Sequence, residues 1–251
     1  MWYIFILACI VYIKYVYDNI NNDLMNNIEL IPITKREKTV DTFKGYKRLR
    51  HVYNEFELWE IYNILSESEC KTIINISEKR GFKASVVHDE QGKNIVDTDR
   101  RISKTGWLSN RVHPLVERLS GTTAILTGLP VENQELLQVA KYQEGGMFVP
   151  HHDTCIGTVE ECIKTDEGAG PRLATLLIYL NDDYIGGQTY FPRVNLTIHP
   201  RRGKGILFWS SDNNGDTRPE SLHQGLTVIN GMKYICTKWS HVRSFPSIHL
   251  P

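Results

Sequence analysis

Short apolar runs separated by turn residues dominate the second half of this 251-residue chain. Runs of this length, bounded by pairs such as Gly145-Gly146 and Asn230-Gly231, are typical of β-strands and short for helices. They favour an antiparallel barrel or a double-sheet jelly roll. The runs span residues 136–142, 174–180, 189–191, 205–209, 225–229 and 232–239.

Helical signals lie upstream of these runs. Ser66 can cap a helix, and Glu69 follows three residues later, as in a capping box. Apolar residues then recur at helical spacing as far as Gly81, and a second helix is predicted around 114–119. The expected fold class is therefore α+β, a β core with supporting N-terminal helices.

Composition excludes several broad classes of protein. The hydrophobic fraction of 41% is too high for a disordered chain. Lys and Arg number 29, as do Asp and Glu, so there is no general basic field and we expect no nucleic-acid partner. The five cysteines lack C-x-x-C spacing, which argues against a zinc knuckle or a dense disulfide framework.

The first 17 residues form an apolar stretch interrupted by Lys14. The stretch is short for a bilayer span of about 20 residues. It also lacks the preceding positive charge and the cleavage site of a secretory signal. We expect a hydrophobic N-terminal anchor over 1–17, with a signal peptide or a buried strand or helix as alternatives. Residues 18–55, rich in Asn and charge, predict a linker, and the globular domain follows over 56–251.

The most informative motif is YQEGGMFVPHHD at 142–153. Side chains alternate between the two faces of a strand, so His151 and Asp153 would share a face while His152 points away. A histidine and a carboxylate placed in this way supply two ligands of a 2-His-1-carboxylate facial triad, which leaves one face of an octahedral Fe(II) open. The third ligand must come from a distant strand.

His223, in a late turn, is the best candidate for that ligand, and Lys233 follows ten residues later. A cation near an iron site suits the far carboxylate of 2-oxoglutarate, the one that does not bind the metal. An isolated H-x-D is weak evidence for a metal site, because it is more often a surface pair. The ordered set of H-x-D, His and Lys is much more specific.

Five blocks of sequence resemble the catalytic domain of the prolyl 4-hydroxylases, the 2-oxoglutarate- and Fe(II)-dependent dioxygenases that include collagen-modifying enzymes. The blocks are RISKTGWL (101–108), ENQELLQVAKYQEGGMFVPHHD (132–153), RLATLLIYLNDDYIGGQTYFP (172–192), HPRRGKGILFW (199–209) and HQGLTVINGMKYICTKWSH (223–241). The resemblance covers about 64–242 and implies a double-stranded β-helix (jelly-roll) core in a catalytic domain over 56–251.

The resemblance also implies a role for individual residues. The implied iron ligands are His151, Asp153 and His223. The implied 2-oxoglutarate contacts are Lys233, Tyr142, Thr189 and Tyr179, with core packing as the alternative for Tyr179. The implied peptide contacts are Arg172, Trp239 and His241, with Arg101 and Ser103 on a closing loop, and Phe148 where many relatives carry Tyr. Residues 89–99 have the composition of such a loop or of an ordinary exposed hairpin.

The activity that the resemblance implies is hydroxylation of peptidyl proline to 4-hydroxyproline. Oxidative decarboxylation of 2-oxoglutarate to succinate and CO2 would accompany it, with O2 as co-substrate and ascorbate as reductant. The implied partner is a proline-rich or collagen-like peptide. The alternatives are the same chemistry on a non-collagen or non-proline target, and a metal-binding jelly-roll module without catalysis.

With the anchor expected over 1–17, the resemblance further implies a membrane-anchored enzyme on the lumenal side of the endoplasmic reticulum. The basic residues within 35–50 would instead favour a cytoplasmic C-terminal side, so the topology stays open. Two sequons, at Asn75 and Asn195, would permit glycosylation there. Cys155 and Cys162 lie near the iron strand, so a loop disulfide between them is an open alternative. The sequence leaves the oligomeric state open.

Overall fold

The computed structural model describes residues 36–88, 93–156, 162, 168–212 and 214–246. Two α-helices lie within this part of the chain, α1 (Glu67–Arg80) and α2 (Pro114–Thr127). The strands are β1 (Arg36–Phe43), β2 (Tyr46–Tyr53), β3 (Phe56–Ile61), β4 (Lys83–Ala84), β5 (Val87–His88), β6 (Asn94–Ile95), β7 (Lys104–Leu108), β8 (Leu137–Tyr142), β9 (Phe148–His151), β10 (Arg172–Tyr179), β11 (Ile185–Gly186), β12 (Thr189–Phe191), β13 (Leu196–Ile198), β14 (Gly205–Trp209), β15 (His223–Gly225), β16 (Val228–Asn230) and β17 (Lys233–His241).

The capping box predicted for α1 is confirmed. The Ser66 hydroxyl accepts a hydrogen bond from the Glu69 backbone N–H, and the Glu69 carboxylate accepts one from the Ser66 N–H. The helix ends at Gly81, whose φ of 87° suits a glycine. The pattern therefore predicted both ends of this helix.

The second helix, α2, is longer than the predicted 114–119. The His113 ring accepts a hydrogen bond from the Leu115 N–H at its start, and its buried face continues through Leu126. The Ser-Gly-Thr-Thr segment inside it would suit a turn by composition, but Thr123 is buried and its hydroxyl bonds the Leu119 carbonyl oxygen. Tertiary packing overrides local propensity here.

Most of these strands form a large and a small antiparallel sheet that face each other, and the other four pair as β5-β6 and β11-β16. The nine-stranded sheet has the order β1-β2-β3-β14-β10-β17-β8-β7-β4, and the four-stranded sheet has the order β13-β12-β15-β9. Phe191 of the small sheet packs edge-on against Phe208 of the large sheet, with ring centroids 5.2 Å apart. The other face of the large sheet packs on both helices, where Ile178 joins Ile73 and Leu119 in a second core. The predicted α+β fold with a jelly-roll core is confirmed.

The predicted linker over 18–55 is wrong for its C-terminal part. Strands β1 and β2 form a hairpin at the edge of the large sheet, paired from Arg36–Tyr53 to Phe43–Tyr46. Lys44 and Gly45, both at positive φ, make its two-residue turn. The exposed, charged β1 lacks an apolar alternation, so its composition matches that of a linker. The folded domain therefore includes residues well before 56.

The predicted strand at 225–229 is two strands, β15 and β16, because the chain leaves the small sheet after Gly225 to pair with β11. The predicted anchor over 1–17 lies outside the described residues. Within the described ranges, no helix combines the length and hydropathy needed to cross a bilayer.

Candidate active site

Two adjacent strands of the small sheet bring three metal-ligating side chains together. His151 ends β9, and in the antiparallel pairing of β9 with β15 it lies opposite His223. Asp153 lies two residues beyond the end of β9 rather than on the strand, yet its carboxylate still reaches both rings. Its oxygens lie 3.6 Å from His151 Nε2 and 3.7 Å from His223 Nε2. All three ligand atoms lie within 4.8 Å of one another.

Surrounding groups orient each of these ligands. The Nδ1 atoms of His151 and His223 lie 2.8 and 2.9 Å from the backbone oxygens of Val149 and Ser221. Because a carbonyl oxygen only accepts, each Nδ1 carries the proton and each Nε2 presents a lone pair to the centre of the cluster. These two hydrogen bonds fix the orientation of the rings before any metal binds.

The charge states also suit a divalent metal. Burial lowers the pKa of His223 to about 4, although Asp153 acts in the opposite direction, so the ring is neutral at neutral pH. Burial alone would raise the pKa of Asp153, but His223, His151 and Arg172 hold it well below its usual value. The Thr175 hydroxyl donates a 2.8 Å hydrogen bond to this carboxylate. Two imidazoles and one carboxylate are a donor set that fits Fe(II).

A buried lysine lies near the metal ligands, at the start of β17. Lys233 is 2% exposed, and burial lowers its pKa to about 7. Its ammonium donates a 2.7 Å hydrogen bond to the Gly187 carbonyl oxygen, and no carboxylate in the described part of the chain pairs with it. Its Nζ lies 5.0 Å from the centroid of the Tyr142 ring, on the strand paired with β17. A buried cation with donors to spare fits an anionic ligand.

Two further hydroxyl groups border the same lysine. Tyr179 is fully buried, its ring centroid lies 6.0 Å from Lys233 Nζ, and its hydroxyl donates a 2.7 Å hydrogen bond to Thr189 Oγ1. Burial raises the pKa of Tyr179, so the phenol keeps its proton. Because the Tyr179 hydroxyl donates this proton in its hydrogen bond to Thr189, Tyr179 orients the Thr189 hydroxyl. Contacts of Tyr142, Thr189 and Tyr179 with 2-oxoglutarate stay predictions.

Comparisons with known proteins agree with this donor set. Residues 137–241 match the 2OG-Fe(II) oxygenase superfamily. Prolyl 4-hydroxylase 1 of Arabidopsis thaliana is 32% identical over 212 residues, which cover 76% of this chain and 73% of that protein. A putative prolyl 4-hydroxylase of Acanthamoeba polyphaga mimivirus is 32% identical over 202 residues, 80% of each chain. The chain belongs to the prolyl 4-hydroxylase family.

A solved structure supports the same assignment. The viral collagen prolyl hydroxylase of Paramecium bursaria chlorella virus-1, solved as a 2-oxoglutarate complex, matches with a TM-score of 0.59 and 27% identity. The match covers 72% of this chain and 94% of that one. This chain is thus a 2-oxoglutarate- and Fe(II)-dependent dioxygenase, and the predicted iron, 2-oxoglutarate and O2 are confirmed. Bound together, iron and 2-oxoglutarate activate O2 to insert an oxygen atom into a C–H bond. A need for ascorbate stays a prediction.

The structure of this prolyl 4-hydroxylase family member places Arg172 and Trp239 beside the metal ligands. The Arg172 guanidinium lies 4.0 Å from the centroid of the Trp239 ring and donates a 2.9 Å hydrogen bond to the Asp153 backbone oxygen. Trp239 in turn contacts the half-exposed Trp107 ring, 6.1 Å away between centroids. Together these side chains form a cationic and aromatic wall that begins at the metal ligands.

Sequence reasoning missed Glu135, which holds this wall in place. Its buried carboxylate pairs with the Arg172 Nε and lies 2.8 Å from His241 Nε2. Burial alone would raise its pKa, but Arg172 and His241 lower it to about 2. His241 is fully buried behind Glu135, so the structure gives it a positioning role, and its predicted peptide contact stays a prediction. In the sequence, Glu135 stands just before the apolar run at 136–142 and follows the polar residues 132–134, so no local pattern marked it.

Arg101, Ser103 and Phe148 meet beside the metal ligand His151. Arg101 donates a 2.9 Å hydrogen bond to the Ser103 hydroxyl, and its guanidinium lies 4.6 Å from the centroid of the Phe148 ring. Phe148 stacks on His151 at 3.5 Å between centroids. The structure therefore brings these three predicted peptide contacts together.

The segment predicted as a closing loop over 89–99 falls partly outside the described residues, at 89–92. On either side of that gap, β5 and β6 pair as an antiparallel hairpin, which agrees with the hairpin alternative. A disulfide joins Cys155 and Cys162, so the pairing left open from the sequence is present next to the metal ligands.

Proposed function

We propose that this enzyme hydroxylates C4 of proline residues in an extended, proline-rich peptide. The observation that carries the proposal is the stack of Arg172 on Trp239, held by Glu135 and bonded to the backbone of Asp153. This arrangement gives the metal site an apolar and cationic wall at the side where a peptide would approach.

A proline-rich segment is the polymer that this wall fits best. Such segments adopt the polyproline II conformation, with exposed carbonyl oxygens and flat ring faces, and they bind aromatic-lined grooves. Trp107 is 43% exposed and offers a ring face. The indole N–H of Trp239 is buried with no partner among the described residues, so it suits a peptide carbonyl oxygen.

The protein's own residues have separate tasks in this proposal. Lys233 binds the far carboxylate of 2-oxoglutarate, and the Thr189 hydroxyl, oriented by Tyr179, adds a donor. Arg172 and Trp239 position the peptide, while Phe148 packs on His151 and excludes water from that side. The hydroxylation gains from this positioning because the reacting carbon is held in one orientation.

The test supplies the purified chain with Fe(II), 2-oxoglutarate, ascorbate and a (Pro-Pro-Gly)n peptide. Succinate and a peptide mass gain of one oxygen atom are followed by mass spectrometry, with His223→Ala as the inactive control. We expect both products in equal amounts. Succinate without peptide oxidation would reject this substrate class and leave the dioxygenase assignment intact. Panels of other proline-rich and non-collagen peptides would then identify the target.

We further propose a membrane-anchored enzyme that faces the lumen of the endoplasmic reticulum. The support is the apolar stretch at 1–17 and the Cys155–Cys162 disulfide, because disulfides persist in oxidising compartments. In vitro translation in the presence of microsomes, followed by protease treatment, tests this topology. We expect the catalytic domain to be protected from the protease and the chain to stay in the membrane on carbonate extraction. Full digestion of the catalytic domain would reject the lumenal orientation.

A further inference from the structure

Tyr184 has a buried hydroxyl group whose hydrogen bonding is not satisfied within the described structure. It immediately precedes β11, and its hydroxyl oxygen has no hydrogen-bond partner in the described part of the chain. A buried hydroxyl without a partner destabilises a fold, because the hydrogen bonds it made to water are not replaced. A buried hydroxyl of this kind points to a ligand that completes its hydrogen bonding.

The Tyr184 ring and the Lys233 stem meet over one glycine. A Cβ added at Gly187 would lie 2.9 Å from Tyr184 Cε2, 3.0 Å from Lys233 Cδ and 3.3 Å from Val228 Cγ2. Gly187 also has a φ of +65°, and its carbonyl oxygen accepts the hydrogen bond from the Lys233 ammonium. The absence of a side chain at Gly187 therefore lets the phenol lie beside the lysine.

The phenol is suited to donate and not to ionise. Burial, with smaller contributions from Tyr179, Asp182 and Asp183, raises the pKa of Tyr184 far above its usual value. The hydroxyl thus keeps its proton at every physiological pH, and a carboxylate oxygen would accept it. The influence of Tyr179 also indicates that the two phenols lie near each other.

We propose that the Tyr184 hydroxyl is an additional donor to the far carboxylate of 2-oxoglutarate, the group that Lys233 binds. The proposal rests on the proposed function in one respect, the assignment of Lys233 to that carboxylate. A carboxylate has two oxygens, so an ammonium and a phenol can each bind one of them. A charge-assisted bond of this type is stronger than one between neutral groups.

The test measures binding, independently of turnover. Calorimetry would compare wild type with Tyr184→Phe, both loaded with Mn(II), which binds the same ligand set without catalysing the reaction. The titrants are 2-oxoglutarate and oxalate, which chelates the metal but has no far carboxylate. Tyr190→Phe is the matched control, because the Tyr190 hydroxyl donates to exposed Asn195 at 3.1 Å, away from Lys233.

We expect Tyr184→Phe to weaken 2-oxoglutarate binding about tenfold and to leave oxalate binding unchanged. Tyr190→Phe should change neither. Since the substitution removes an unpaired hydroxyl, we also expect the ligand-free variant to unfold at or above the wild-type temperature. The increase in that temperature on adding 2-oxoglutarate should be smaller than in wild type.

Unchanged 2-oxoglutarate binding in Tyr184→Phe would overturn the proposal. A buried water would then be the hydrogen-bond partner of the Tyr184 hydroxyl. Equal weakening of 2-oxoglutarate and oxalate would also overturn it, because the effect would then lie at the metal. Lys233→Met tests the underlying assignment separately. If that variant binds 2-oxoglutarate as wild type does, the Lys233 assignment itself fails.

Discussion

Two buried lysines in this protein differ in what surrounds their charge. Lys204, before β14, lies 2.6 Å from the Glu60 carboxylate, which also lies 2.9 Å from His51 Nε2. Burial alone would raise the pKa of Glu60, but His51 and Lys204 lower it to about 2. Lys233 donates a hydrogen bond to the carbonyl oxygen of Gly187, and no carboxylate among the described residues pairs with it. Lys204 therefore has its counter-charge within the chain and stabilises the fold, whereas the charge of Lys233 is available to an anionic ligand.

The largest expected effect is on stability. Lys204→Met should lower the free energy of unfolding by about 3–5 kcal/mol, because it leaves the Glu60 carboxylate buried without its ammonium partner. Lys233→Met should leave that free energy unchanged or raise it, because no carboxylate in the part of the chain that the structure describes loses a partner. Urea unfolding of the ligand-free variants measures both. Equal destabilisation by the two substitutions would remove the distinction between the lysines.

The two lysine substitutions should affect ligand binding in the reverse order, with the larger effect at Lys233. Lys233→Met should weaken 2-oxoglutarate binding by about 10- to 100-fold, the value of a lost charge-assisted hydrogen bond. Folded Lys204→Met should bind 2-oxoglutarate as wild type does. Calorimetry on the Mn(II)-loaded proteins, with oxalate as the reference ligand, measures the difference. A loss of affinity in Lys204→Met alone would exchange the two roles.

The pH dependence of binding should follow Lys233. Its pKa of about 7 in the ligand-free protein is depressed, so above this pH the free amine must take up a proton as it binds a dianion. Affinity for 2-oxoglutarate should therefore be highest below pH 7 and fall about tenfold for each pH unit above it. Ligand-free stability should rise between pH 7 and about 10.4, because the unfolded lysine binds the proton that the folded one lacks.

Calorimetry in buffers of different ionisation enthalpy measures this proton uptake. Lys233→Arg is the control, because a guanidinium stays charged throughout the range and should flatten the profile. Lys204→Met should keep the wild-type slope. Uptake of no proton at pH 8 by wild type would show that Lys233 is already charged before the ligand arrives.

The residues of this comparison also show what the sequence could predict. Lys233 was found because it stands ten residues after His223 in a recognisable order, and the capping box of Ser66 needed only local spacing. Glu60 and Lys204 are separated by 144 residues, and no local pattern links them. The hairpin that carries His51 was mistaken for a linker, since its outer strand is an exposed, charged edge.

The charged residues beside the metal ligands are likewise not linked by any local pattern in the sequence. Glu135 lies 37 residues before Arg172 and 106 before His241, so only the folded chain brings the three together. Asp153 was placed correctly with His151, although it lies beyond the strand that the alternation argument assumed. Ligands that lie close together along the chain can be inferred from their spacing, whereas supporting charges from distant segments cannot.

The smallest expected effect comes from comparing two buried carboxyl groups, Glu60 and Glu135. Charged partners lower the pKa of each to about 2. Glu60→Gln should lower stability and leave the kinetics of the folded enzyme unchanged. Glu135→Gln should raise the peptide KM about threefold to tenfold, because Arg172 loses its ionic partner at the peptide wall. Its 2-oxoglutarate affinity should stay at the wild-type value. Steady-state kinetics with varied peptide measure the difference, and an unchanged KM in Glu135→Gln would place Glu135 with Glu60, among the charges that serve the fold alone.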